Sequence, residues 1–120
     1  MAARLLAVAV DCNDVDVMTE FWTTALQTGV SDRWTDSHGK QYVEISLGTG
    51  DAVLLLQPVV ETKSVKNRVH LDLATVAGSQ DDEVERLCSA GASVIDLAPD
   101  DPWVVLADPE DNEFCVLLPR

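Results

Sequence analysis

Within Lys66-Asn67-Arg68-Val69-His70-Leu71-Asp72-Leu73, a guanidinium, an imidazole and a carboxylate recur at every second position. Strand side chains alternate between two faces. The spacing therefore predicts a strand over 69–73 with Val69, Leu71 and Leu73 toward a core and Arg68, His70 and Asp72 on the other side. That polar side admits two readings. His70, as an imidazole, can move a proton or orient a ligand, or it can be a structural histidine held by Asp72 or Arg68. Arg68 can clamp a carboxylate or phosphate, or pair with Asp72 beside it. Trp103 can wall a binding site or pack in a sheet. Cys12, Cys88 and Cys115 are an odd set of thiols with no C-x-x-C pair. Cys115 becomes a nucleophile only beside a positive group and is otherwise a buried structural thiol; the other two have no partner signal.

The elements that must hold these residues follow from periodicity. Residues 5–10 are an apolar run suited to a buried strand, ended by Asp11-Cys12-Asn13-Asp14, where Asn13 or Asp14 can cap a helix. Met18, Trp22, Ala25 and Leu26 fall at helical spacing, Trp22 reads as core, and Gly29 serves as the stop. The period then changes to two, giving strands over 30–35, 41–47 and 52–57. Between them lie polar turns at Asp36-Ser37-His38-Gly39, where His38 should be exposed, and at Gly48-Thr49-Gly50-Asp51. Pro58 closes this meander, and 59–66 reads as a linker. After the His70 strand, Ser79 can cap a helix with Asp81, Asp82 and Glu83 in its first turn, Val84, Leu87 and Cys88 on its apolar face and Gly91 at its end. Runs at 93–97, 103–107 and 113–118 follow, separated by Pro99-Asp100-Asp101-Pro102 and Asp108-Pro109-Glu110-Asp111-Asn112.

The second half repeats the first. Ala7 falls over His70, Gly29 over Gly91 and Leu54 over Cys115, with an offset that barely drifts, and Leu55-Leu56-Gln57-Pro58 lies over Val116-Leu117-Leu118-Pro119. The pattern predicts an α+β chain with two tandem βαβββ units, about 3–60 and 66–120, within a single domain spanning 1–120. Neither unit would easily bury its sheet alone, so the two are expected to pair and curl antiparallel-rich sheets around a shared cleft.

With 120 residues the chain fits one ordinary domain. Its 8 Lys and Arg against 21 Asp and Glu give a net charge of −13, which repels phosphate backbones and anionic lipid and so argues against nucleic-acid partners. The acidity first of all keeps the chain in solution; it would also gather a cationic ligand. No apolar run approaches the roughly 20 residues of a membrane span, and neither a leader pattern nor a disulfide pattern is evident, so a cytoplasmic protein with free thiols is expected.

The βαβββ duplication, the Phe21-Trp22 pair, the His70 strand and the closing Asp108-Pro109-Glu110-Asp111-Asn112-Glu113-Phe114 resemble the vicinal oxygen chelate superfamily of glyoxalases, extradiol dioxygenases, fosfomycin-resistance enzymes and bleomycin-resistance proteins. Within it the chain looks most like the small glyoxalase-like proteins common in actinobacteria. The resemblance implies homodimers and, in metal-using members, a divalent ion held by His, Glu or Gln from the first and fourth strands of each unit. Here those places are Ala7, Leu54, His70 and Cys115, of which only the last two can donate. A third donor could come from Glu113 or Asp72, each a strand step away. One imidazole and one thiol fall short of a hard-ion or catalytic zinc set, so no cofactor is expected; an ion, if held, would use His70, Cys115 and Glu113. The expected function is binding of a small organic molecule by Arg68, His70, Asp72, Trp103 and Cys115 without the usual metal. The alternative is a glyoxalase-like lyase, isomerase or dioxygenase with His70 as its catalytic acid or base and an atypical metal site.

Overall fold

In the computed structural model, which describes residues 2–97 and 100–120, the chain forms two compact units, 1–62 and 63–120. Each is a βαβββ unit with one helix and a four-stranded mixed sheet. In the first, β1 (Ala7–Cys12) leads into α1 (Val15–Leu26), and β2 (Val30–Thr35), β3 (Gln41–Ser46) and β4 (Val53–Pro58) form an antiparallel meander. The strand order is β1-β4-β3-β2, with β1 parallel to β4, as a helical crossover requires.

Local chemistry sets these boundaries. Asp14 caps α1, its Oδ1 accepting from the amides of Asp16 and Val17 at 3.1 Å each. The helix stops at Gln27, not at Gly29: Gln27 takes the left-handed conformation (φ 51°) and its amide returns to the last helical turn. β1 begins two residues later than the apolar run and continues into Asp11 and Cys12, because the ladder with β4 extends to Cys12–Pro58 and the Val59 amide donates to the Cys12 carbonyl at 2.8 Å. Leu5 and Leu6 stay exposed. The following segment has no regular structure, and Asn13 ties it down through Nδ2 donated to the carbonyls of Val59 (3.1 Å) and Glu61 (2.9 Å).

α1 packs on β3 and β4, and the core beneath it is Met18, Phe21, Trp22, Val43, Ile45, Leu54 and Leu56. The Phe21 and Trp22 rings meet edge to face at 5.1 Å, so Trp22 is core as expected. Alternation corrects one assignment. Leu54 is fully buried with Leu56 on the helix side, and Val53, Leu55 and Gln57 occupy the opposite face beside their Cα partners Ala7, Ala9 and Asp11.

In the second unit β5 (Asp72–Ala74) precedes α2 (Gln80–Ala90), and β6 (Ser93–Asp96), β7 (Trp103–Ala107) and β8 (Glu113–Leu117) complete a sheet of order β5-β8-β7-β6. Ser79 and Asp82 form a reciprocal capping box, and Gly91 (φ 129°) ends the helix as anticipated. Pro99, placed in a turn from sequence, lies outside the described residues. Leu87, Val104, Leu106, Phe114 and Val116 are the buried core of this unit, thinner than the first unit's because Leu87 alone among α2 side chains is fully buried.

The strand expected over 69–73 is shorter and later. Arg68 and Val69 form a bend, Val69 is 74% exposed instead of facing a core, and ladder pairing starts where the Cys115 amide donates to the Leu71 carbonyl at 2.9 Å. Leu71 and Leu73 are half-buried, so only part of the predicted apolar side holds.

Candidate functional site

Cys115 owes its position to the turn before β8. Asp108 is 2% exposed, and its carboxylate accepts from the amides of Glu110 (2.9 Å) and Asn112 (3.0 Å) and from Asn112 Nδ2 (3.0 Å to Oδ2), while Asp111 takes φ 70°. This side-chain-supported turn hands the chain to Glu113 in register with Ala107 of β7. Phe114 and Val116 are then buried on the helix side, and Glu113, Cys115 and Leu117 take the other face.

The parallel pairing of β5 with β8 sets Asp72 directly beside Cys115. His70, two residues earlier, reaches the same carboxylate: its Nε2 lies 3.2 Å from Asp72 Oδ1. Donor atoms of His70, Asp72 and Cys115 all fall within 4.8 Å of one another. Cys115 forms a buried floor, and the two polar side chains stand about half exposed above it. Burial pushes the Cys115 thiol pKa up, the Asp72 carboxylate adds to this through its charge and as acceptor of the thiol hydrogen bond, and the Lys66 ammonium opposes it. The thiol is therefore protonated at neutral pH, with poor nucleophilicity.

Glu113 goes elsewhere. Its Oε1 takes the Lys63 ammonium at 2.6 Å and its Oε2 the Asn67 amide at 2.9 Å, both partly buried. Burial alone would raise its pKa; the Asn67 amide and Lys63 outweigh that and hold it below the usual carboxylate range. Asp72, not Glu113, is thus the carboxylate beside His70 and Cys115. Arg68 is exposed in the bend, and the partner of Asp72 is His70, not Arg68. Trp103 is 39% exposed and shares the Cys115 face, since Val105 is the Cα partner of Cys115 and Trp103 lies two residues along. His38 is exposed in its turn.

In the first unit the corresponding face carries Ala7 beside Val53 and Ala9 beside Leu55, with polar atoms only at its far end, Asp11 beside Gln57. Whether Leu54 or its neighbour Leu55 is matched to Cys115, no lone pair is offered there. At the four places where the resemblance sets metal ligands, two side chains are alkyl and one is a thiol in place of an oxygen, a donor set that does not fit a hard divalent ion.

The profile of a family described as a glyoxalase-like domain matches residues 7–117. No protein of curated function matches the sequence. Among solved structures the chain is similar to the fosfomycin resistance protein FosX of Listeria monocytogenes, solved with Mn(II) and sulfate (12% identity, TM-score 0.73, covering 97% of this chain and 92% of that one). It is also similar to the trypanothione-dependent glyoxalase I of Leishmania major (15% identity, TM-score 0.71, 97% and 86% covered). A third likeness is to a glyoxalase/bleomycin resistance protein/dioxygenase family enzyme of Burkholderia phytofirmans (19% identity, TM-score 0.68, 95% and 97% covered). At such identities the likeness shows the fold.

Proposed function

The chain belongs to the glyoxalase-like domain family, within the vicinal oxygen chelate superfamily, and from that premise we propose that it binds a small organic molecule on the His70–Asp72–Cys115 face of its second sheet, without the usual metal site. The observation that carries this reading is the convergence of an imidazole, a carboxylate and a thiol over a buried floor, while the first unit offers only alkyl groups at the matching places. Trp103 supplies an aromatic edge on the same face, and Arg68 stands exposed in the bend two residues before His70. The Asp72 carboxylate, about half exposed, and the net charge of −13 favour an organic cation over a phosphonate or carboxylate.

A second reading has one specific support. Asp72 at His70 Nε2 fixes that nitrogen as the protonated one and leaves Nδ1 to accept a proton, the arrangement of a general base in a lyase or isomerase. We place the protein in the cytoplasm, the compartment favoured by an odd number of cysteines with no C-x-x-C pair. A homodimer fits the exposed Val94 and Ile95 of the edge strand β6 and Leu97 just after it. No helix among the described residues is long and apolar enough to cross a membrane.

Thermal shift and calorimetry with matched panels of organic cations and anions, run with chelator present, test the proposal. At least one cation class should stabilise the chain, and His70→Ala or Asp72→Asn should weaken its binding by roughly 10-fold, about 1.4 kcal/mol. Binding that ignores both substitutions, or that selects anions, would overturn it. Loss of turnover in His70→Ala with affinity kept would favour the second reading.

A further inference from the structure

We propose that His70, Asp72 and Cys115 form a metal site within the second repeat alone, selective for a thiophilic divalent cation of the Zn²⁺ type. It shares the face proposed for the organic ligand and depends on that reading only for its location. Each donor is of a different kind: imidazole nitrogen, carboxylate oxygen, thiol sulfur. Mn²⁺ and Mg²⁺ prefer all-oxygen or oxygen-rich sets, whereas Zn²⁺ accepts this mixture, and three protein ligands with one open position are the usual count for a zinc that keeps a water or a ligand.

The geometry is close to what such an ion needs. Ligand atoms about 2.0–2.3 Å from a tetrahedral zinc stand roughly 3.3–3.8 Å apart. The His70–Asp72 contact is 3.2 Å and all three donors fit within 4.8 Å of one another, close to that spacing. Two of the three backbones are locked together as Cα partners of the β5–β8 ladder. The buried sulfur is fixed while the exposed imidazole and carboxylate can turn toward the ion. On binding, the Cys115 S–H bond breaks, its proton passes to solvent, and the thiolate and Asp72 carboxylate balance the two positive charges of the ion. Selectivity would thus differ from that of a hard-ion site, because a sulfur stands in place of an oxygen.

Titration of the whole chelator-stripped chain with Zn²⁺, Mn²⁺ and Co²⁺, with no organic ligand present, tests this. Expected are a single equivalent of Zn²⁺, binding roughly 100-fold tighter than Mn²⁺, and a Co²⁺ adduct with sulfur-to-cobalt charge-transfer absorption. Cys115→Ser should abolish that band, a Cys12→Ser/Cys88→Ser double variant should keep it, and His70→Ala and Asp72→Asn should each cost at least about 10-fold in Zn²⁺ affinity. His70→Ala alters an exposed side chain, so it remains informative if Cys115→Ser fails to fold. A band that survives Cys115→Ser or disappears in the double variant, equal affinity for Mn²⁺, or no loss in His70→Ala would overturn the proposal. Failure here leaves chelator-independent ligand binding untouched, and failure of ligand binding leaves the ion titration interpretable.

Discussion

A protonated thiol beside a carboxylate behaves differently from a free one. Because burial and then Asp72 raise the Cys115 pKa, with Lys66 in opposition, its alkylation at neutral pH should be slower than that of the partly exposed Cys88 and should accelerate as pH rises past the ordinary thiol range. Asp72→Asn removes the negative neighbour and should speed Cys115 labelling several-fold, read by mass spectrometry of the labelled peptides. Unchanged labelling would mean that Asp72 does not govern the thiol. At this scale the period of two already set His70 and Asp72 on one side. The neighbour of Asp72 was not legible, since a parallel ladder between residues over forty positions apart leaves no local trace.

Element boundaries were set by side chains that bind backbone. The tie of Lys63 and the Asn67 amide to Glu113 holds 63–67 against the start of β8, just before the bend at Arg68–Val69. Glu113 has its pKa lowered in the folded chain, so its contribution is present above the ordinary glutamate value and is lost as pH falls through the lower folded value. Glu113→Gln should cost roughly 1 kcal/mol at neutral pH, after allowance for partial solvent screening, and should flatten the acid limb of a urea-unfolding series. The face assignment gives a second test. Leu54→Ala should cost about 2–5 kcal/mol because Leu54 is fully buried under α1, and Leu55→Ala distinctly less because Leu55 is half-buried on the other face. Similar losses in chemical denaturation would reverse the assignment. Sequence overlay matched Leu54 to Cys115 because a one-residue slip preserves apolar character; only the pleat, which exchanges faces at each residue, separates the two leucines.

Over the whole chain the net charge of −13 is a repulsion that added salt screens. The melting temperature should therefore rise between low salt and about 0.3 M sodium chloride, by a few degrees in scanning calorimetry. A fall would mean that local ion pairs such as Lys63–Glu113 outweigh the general repulsion.

Composition, the change of period from helical to alternating, and the recurrence of one pattern after about sixty residues were enough to determine the two βαβββ units, both helix starts and the paired meanders, since these depend on local propensity and on which positions are apolar. Tertiary structure decided where β5 begins, which leucine of β4 faces away from the helix, and that Asp72 instead of Glu113 stands with His70 and Cys115. Those outcomes depend on ladder register and on competition among distant groups for one carboxylate, and neither is encoded by any single stretch of chain.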